Sequence, residues 1–536
     1  MPEHDLSPVG GWRPGSEPPA FDEDALVAAV QRVRESAHLV REGSGGRVGV
    51  AFGGQVGVDG GLPWLGTLPA LYPEWLGDRS FQETHGTRFS YVAGAMANGI
   101  HTTDITVEMA KHGMLGFYGA AGLSHKSVSE ALDRLQAQIP SGAPFGINLI
   151  HSPNEPDLEN AIADMYIRRG VRRVSAAAYM ALTPAIVRIA FHGVREEGGR
   201  IVRQNYVFAK ISRPEVARRF LTPPPEEILE KLLRDGLLTA DEARLARKLP
   251  VAEDITVEAD SGGHTDNQPL PALFPVIQAL RDELVAQFGY TRPVRVGAAG
   301  GLGTPQAIAA AYQMGAAYVL TGSVNQACVE SGLSVTGKAL LANAAIGDVI
   351  MAPAADMFEL GVKVQVLKRG TMFGPRALRL YDVYTSYDGL AAIPPKVREE
   401  LEKRILSRPL DDIWAETRAF WAQRDAREVE RAERDPKHQM ALVFRWYLGL
   451  SSRWAITGEP TRKMDYQVWC GPAMAAFNTW TRGTPLEQAD NRRVGLVALN
   501  LLEGAAVVTR AQQFRSYGAP VPARAFQFSP RLLSLA

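Results

Sequence analysis

The stretch Val294–Ser323, VRVGAAGGLGTPQAIAAAYQMGAAYVLTGS, reads as strand, helix and strand in succession. The apolar run Val294–Ala299 ends in the glycines Gly300, Gly301 and Gly303. Thr304 then suits an N-cap and Pro305 the first helical position, where its missing N–H costs nothing. Ile308, Ala311, Tyr312 and Gly315 keep one helical stripe, after which a second apolar run delivers Thr321, Gly322 and Ser323 to the same end as the first glycine cluster. This is the unit from which parallel sheets are built.

Working outward, the same alternation repeats. Strand patterns fall at FSYVAGAM (89–96), LGFYGAA (115–121), FGINLIH (145–151), RRVSAAA (172–178), YVFAKIS (206–212) and DITVEAD (254–260), most of them followed by an amphipathic or Ala-rich helix. With the two strands of the opening stretch they make eight, the number a (β/α)8 TIM barrel needs, and an α/β barrel is the expected fold. A doubly wound open sheet would leave the same local pattern.

In such barrels a phosphate sits on the loops after the seventh and eighth strands. Gly300, Gly301, Gly303, Gly322 and Ser323 occupy those loops and would form the cup, although glycines there also serve simply to tighten a strand-to-helix turn. The spacing is not a dinucleotide fingerprint: counted from Gly301 and Gly303, the third glycine falls on Gln306, and no acid ends the next strand. No P-loop lysine pattern occurs either.

The sixth strand runs into EADSGGHTDNQP, Glu258–Pro269. Paired glycines, Gly262 and Gly263, precede His264, the side chain whose ordinary pKa lies nearest neutrality. Asp, Ser, Gly and Asn also make any polar turn, so this segment by itself reads as either a turn or a site.

Composition narrows the classes. Lys plus Arg and Asp plus Glu each total 58, so no global field attracts nucleic acid or an anionic membrane. Two cysteines among 536 residues supply neither a disulfide framework nor a thiolate metal site, which fits a reducing cytoplasm. His101, His112 and His151 lack metal-ligand spacing, and no metal is expected. The N-terminus has no signal-peptide pattern and no apolar stretch of bilayer length stands out, so neither membrane insertion nor secretion is expected.

Four segments in order, GAMANGIHTTDITVEMAKHGMLGFYGAAG, PFGINLIHSP, EADSGGHTDN and GAAGGLGTPQAIAAAYQMGAAYVLTGSVNQA, resemble the flavin-dependent barrel family of nitronate monooxygenases and flavin-type enoyl-acyl-carrier-protein reductases. LYPEWLGDRSF, AYMALTPAIVR, TMFGPRALRLYDVYTSYDGLAAIP, HQMALVFRWYLGLSSRWAITGEPTRKMDYQVWCGPAMAAFN and LLEGAAVVTRAQQF extend the resemblance to its long members, the trans-acting enoylreductases of polyunsaturated fatty acid and polyketide synthases, often called PfaD. The likeness covers most of the chain from about Leu71 onward.

That resemblance implies FMN across the C-terminal mouth of the barrel, with its phosphate on Gly300, Gly301, Gly303, Gly322 and Ser323. It implies that Ala95, Met96 and Ala97 line the ring, that Asn148 makes a polar contact to it, and that Lys210 places a cation beside it, unless Lys210 pairs with a barrel carboxylate. His264 matches the catalytic histidine, with Gly262 and Gly263 making room for flavin and acyl chain. Asp266 and Asn267 are expected to orient the loop or the histidine rather than to do chemistry. The implied reaction is NADPH-dependent (NADH equally open) reduction of an enoyl thioester on an acyl carrier protein domain. A nitronate monooxygenase-type oxygenase and a non-catalytic flavoprotein assembly subunit are the alternatives; a homodimer is left open.

Cys328 lacks a base partner in NQACVESG and reads as a small buried hydrophobe. Expected boundaries are 1–45, a partly disordered segment with a helix over DEDALVAAVQRVRESAHLVRE (22–42); 46–87, Gly-rich; 88–394, the barrel, with a helical insertion about 213–252 beside its mouth; and 395–536, a packed C-terminal helical domain, with a cap or carrier-protein docking surface as the lesser reading.

Overall fold

Most of the apolar runs end near a glycine or proline, and each run becomes one strand. In the computed structural model, which describes residues 7–43, 46–152 and 155–533, the eight strands close into a parallel barrel. They are β1 (Tyr91–Ala93), β2 (Leu115–Tyr118), β3 (Gly146–Ile150), β4 (Arg173–Ala177), β5 (Tyr206–Ile211), β6 (Asp254–Glu258), β7 (Arg295–Ala299) and β8 (Val319–Thr321). β8 pairs with β1, which removes every sheet edge and excludes the open-sheet alternative.

Side chains alternate across each strand. Val92, Leu115, Phe117, Phe208, Tyr318 and Leu320 fill the barrel together with Phe81, whereas Ile147, Leu149, Ile255 and Val257 face the helix layer. The same period puts Asn148, Lys210 and Glu258 on the inner face, nearer the C-terminal mouth. At the opposite end the helix Arg79–His85 plugs the barrel, with Phe81 stacked 4.7 Å from Tyr318.

The ring helices are α1 (Thr103–Lys111), α2 (His125–Gln138), α3 (Pro156–Arg168), α4 (Pro184–Phe191), α5 (Pro214–Leu221), α6 (Leu270–Phe288) and α7 (Pro305–Gln313). Proline occupies the first position of α3, α4, α5 and α7, where its fixed φ starts a helix without losing a bond. Thr304 caps α7 through Ala307 N at 3.3 Å, as its sequence predicts.

The eighth place in the ring is taken by α8 (Val494–Ser516), which packs on α7 and α1. The packing therefore divides differently from a boundary at 394. The chain between β8 and α8 is an insert within the barrel, and the last helices share the barrel's core through Phe477, Leu501 and Phe514. Only the middle of the insert has a core of its own, built by Phe358, Val364, Phe373, Leu406, Phe444 and Tyr447. α8 has 23 residues and is apolar enough to cross a membrane by length and composition, but Glu503 and Arg510 interrupt it and 89% of its apolar window lies inside the protein. It is a core helix.

Three other expectations change. Among residues 7–20, expected to be disordered, Gly10–Arg13 is a strand anchored by the fully buried Trp12; residues 1–6 and 44–45 lie outside the described residues. The expected helix over 22–42 ends at Gln31, because Ala37–Arg41 pairs on both sides, with Val48–Phe52 and with Leu62–Leu68, in a five-stranded antiparallel sheet. Two ladders satisfy more backbone groups than one isolated helical turn. Finally, the helices Glu226–Arg234 and Ala240–Ala246 lie at the foot of the barrel, not at its mouth. α5 descends from the top of β5, and the insertion ends where β6 begins, with Arg203 bonded to Glu253 at 2.9 Å.

Candidate functional site

The mouth is built where inward-facing strand ends meet glycine loops. Asn148 is buried, and its Oδ1 accepts hydrogen bonds from Ala120 N (2.7 Å) and Ala121 N (3.3 Å), which fixes the amide and turns its Nδ2 away from these partners. Lys210 Nζ donates to Glu258 Oε1 at 2.9 Å, and Ser261 Oγ donates to the same oxygen at 3.1 Å. The lysine thus does pair with a barrel carboxylate, and it remains partly exposed at the mouth.

The loops after β7 and β8 form a concavity with two kinds of glycine. At Gly300 and Gly303 an added Cβ would meet backbone, of Ala259 at 2.7 Å and of Ala473 at 2.0 Å. At Gly301 and Gly322 nothing lies within 4 Å of it. The walled glycines shape the turn and the open ones leave a cradle a side chain would fill. Ser323 Oγ stands beside it and accepts from Gly471 N at 3.4 Å. Ala95, Met96 and Ala97 follow β1 and are only partly covered. Bare amides, a hydroxyl, one amide side chain and one cation make a donor set that fits the phosphate and ring of a flavin mononucleotide.

His264 lies in the two-residue strand Gly263–His264, paired with the insert strand Lys363–Leu367. Its side chain is 45% exposed, and Nε2 stands 3.3 Å from Asp356 Oδ1. Burial raises the Asp356 carboxyl, but its interaction with His264 and two backbone amides outweighs this and holds it below the usual range. Gln365 Nε2 donates to Asp260 Oδ1 and to Ser261 O, both at 2.7 Å, so the insert also grips the loop before the histidine. Asp266 accepts from Ser212 and Arg213, and Asn267 Nδ2 donates to Asp260 Oδ1 at 2.9 Å, which makes both loop-orienting residues.

The glycine at 262 has a particular cause. A Cβ there would lie 2.9 Å from Cys470 N and 3.0 Å from Gly471 N. The backbone of Trp469–Ala473, far along the chain, closes over Gly262 and Gly303, and Trp469 stands 3.9 Å from the Cβ direction of Gly263. Gly262→Ala is therefore expected to cost on the order of 1–3 kcal/mol through overpacking. A lower Tm, with faster proteolysis of the insert, would show it; an unchanged melting curve would contradict it.

Both cysteines are buried. Cys328 is fully buried, and burial pushes its thiol far up; Cys470 is pushed up to about 12 by burial. His101 is fully buried, donates from Nδ1 to Gly94 O (2.9 Å), and is lowered to about 4 by burial. His151 sits at the end of β3, 3.0 Å from the buried Glu159. Among the described residues no group of three or more His, Cys, Asp or Glu is placed to hold a metal. Asp356, Gln365 and Trp469–Ala473 escaped the sequence reading, because no local pattern marks residues that reach the site only through insert packing.

The family model described as nitronate monooxygenase matches residues 80–380, and that of the inserted helical domain of [acyl-carrier-protein] S-malonyltransferase matches 387–466. The crystal structure of the enoyl reductase domain of MlnA, from the macrolactin biosynthesis cluster of Bacillus amyloliquefaciens, superposes with a TM-score of 0.79 at 36% identity, covering 83% of this chain and 99% of that one. A polyunsaturated fatty acid synthase subunit of Thraustochytrium sp. is 47% identical over 82% of this chain and 30% of its own length. Polyketide biosynthesis protein ThaF of Burkholderia thailandensis is 44% identical over 82% and 38%. The chain thus spans about a third of the length of these two curated relatives.

A closed eight-stranded barrel whose sequence matches the nitronate monooxygenase model over more than half its length defines the class: the chain belongs to the nitronate monooxygenase family. Within that family it is of the PfaD type, with the inserted helical domain matched at residues 387–466.

Proposed function

We propose that the protein is an FMN-dependent enoylreductase that acts in trans on enoyl thioesters carried by acyl carrier protein, with NADPH or NADH as electron source. The observation that carries this reading is the solved enoyl reductase domain, which this chain matches across 99% of that domain's length. The polar geometry of the mouth is consistent with it.

Gly300, Gly301, Gly303, Gly322 and Ser323 would hold the phosphate, while Ala95, Met96, Ala97 and the Nδ2 of Asn148 would border the ring. Lys210, paired with Glu258, would offer the ring an N–H donor whose charge the carboxylate largely offsets. FMN held there would supply the hydride chemistry that reduces the substrate's β-carbon. His264 then protonates the α-carbon or polarises the thioester carbonyl, which its half-exposed position over the mouth permits. Gly263 keeps the loop free of a side chain next to that histidine.

The test is anaerobic: reduce the flavoprotein with NADPH, mix it with crotonyl-loaded carrier protein, and follow flavin reoxidation while the acyl group is weighed. Reoxidation with a gain of two hydrogens supports the reading. No reoxidation, with rapid turnover of nitronate in air, would move it to the oxygenase; neither activity would leave an assembly subunit.

A further inference from the structure

A histidine that moves a proton needs its ring held in one orientation, because the two ring nitrogens exchange roles when it flips. Among the described residues, no barrel side chain holds the His264 ring. Its neighbours on the β6 loop are otherwise engaged: Asp260 accepts from Asn267 and Gln365, and Asp266 accepts from Ser212 and Arg213. Glu258 is committed to Lys210 and Ser261. The carboxylate that does reach the ring, Asp356, comes from the insert. It stands between the insert strands Val349–Pro353 and Lys363–Leu367, and its Oδ1 also accepts from Met357 N at 3.1 Å, which anchors it. The strand on its C-terminal side also forms the backbone ladder with His264, where His264 pairs with Val364. Ring and carboxylate are therefore set by one small sheet.

Resting on the enoylreductase reading, we infer that Asp356 is a positioning residue for His264: it engages Nε2 and leaves Nδ1 for the reacting acyl group. The proton-handling pair is then shared between barrel and insert, and the insert is part of the active site. A second tie between the two parts lies along the same rim, where Arg424 of the insert donates to Glu155, ahead of α3, at 2.9 and 3.0 Å. Both members of the His264–Asp356 contact are about half exposed, so it contributes little to folding and its use lies in orientation.

The experiment compares wild type with Asp356→Ala and Asp356→Glu in the FMN-loaded full chain. One arm records the side-chain 15N resonances of His264, assigned by their loss in His264→Gln. The other measures kcat and KM on crotonyl-loaded carrier protein. Asp356→Ala is expected to shift the His264 nitrogens toward a mixed tautomer, and to lower kcat on the order of 10²-fold with KM and flavin content little changed. Asp356→Glu is expected to restore part of both. His264 resonances identical in wild type and Asp356→Ala would overturn the inference, and so would an unchanged kcat. If wild type reduces no enoyl group, the functional reading fails on its own, and the resonance arm still decides whether Asp356 orients the ring.

Discussion

If the proposed enoylreductase reading holds, His264→Ala is expected to lower the rate of enoyl reduction by on the order of 10²–10⁴-fold with FMN retained, the loss expected when a positioned acid or base is removed. The separation of the two effects follows from the geometry. His264 follows the Gly262–Gly263 turn after β6, whereas the residues proposed for the phosphate lie on the β7 and β8 loops. Truncating a half-exposed ring on a two-residue strand also removes little packing. The flavin spectrum and Tm should therefore persist. Stopped-flow reoxidation by crotonyl-loaded carrier protein checks the rate, and gel filtration with absorbance at the flavin band checks retention. A variant that loses both flavin and activity would place His264 in the cofactor site.

The largest effect on stability is expected at the foot of the barrel. Arg295 holds Asp254 through two hydrogen bonds, 2.6 and 2.9 Å, and His85 stands 3.1 Å from the same carboxylate, with all three side chains buried. Breaking a buried pair by removing one partner strands a charge, so Arg295→Met should cost about 3–5 kcal/mol. Adding Asp254→Leu in the same chain should recover most of this, because two apolar groups replace two charges. Denaturant melts of wild type, single and double variants measure the difference.

The pH dependence has a definite sign. Burial raises the Asp254 carboxyl, but Arg295 and His85 together hold it far below the usual range, so its contribution is complete above about pH 4 and is lost as pH falls through its lower folded value. His85 is lowered by burial, which outweighs Asp254. The unfolded chain then takes up the imidazole proton first, and stability begins to fall below about pH 6.5. Both groups act in one direction: acid destabilises. Arg295→Met removes the counter-charge and should raise the pH at which unfolding sets in.

The barrel was legible because its signals are local. A strand's period of two, proline at a helix start and glycine at a turn act over a few residues, so the eight strands and the cap at Thr304 could be read directly. The same period even places Asn148, Lys210 and Glu258 on one inner face. Where two local solutions compete the reading failed: Ala37–Arg41 has helical spacing, yet ladders on both sides make it a strand.

By itself the sequence determined the eight strands, the glycine loops at one end of them, and the histidine that follows Gly262 and Gly263. Only the tertiary structure decided that α8 closes the ring, that the chain between β8 and α8 is an insert, and that Asp356 meets His264 and Cys470 meets Gly262. The physical reason is range. Backbone geometry and side-chain alternation are set by near neighbours, whereas these contacts join residues far apart in the chain, whose meeting depends on how the whole insert folds back over the barrel.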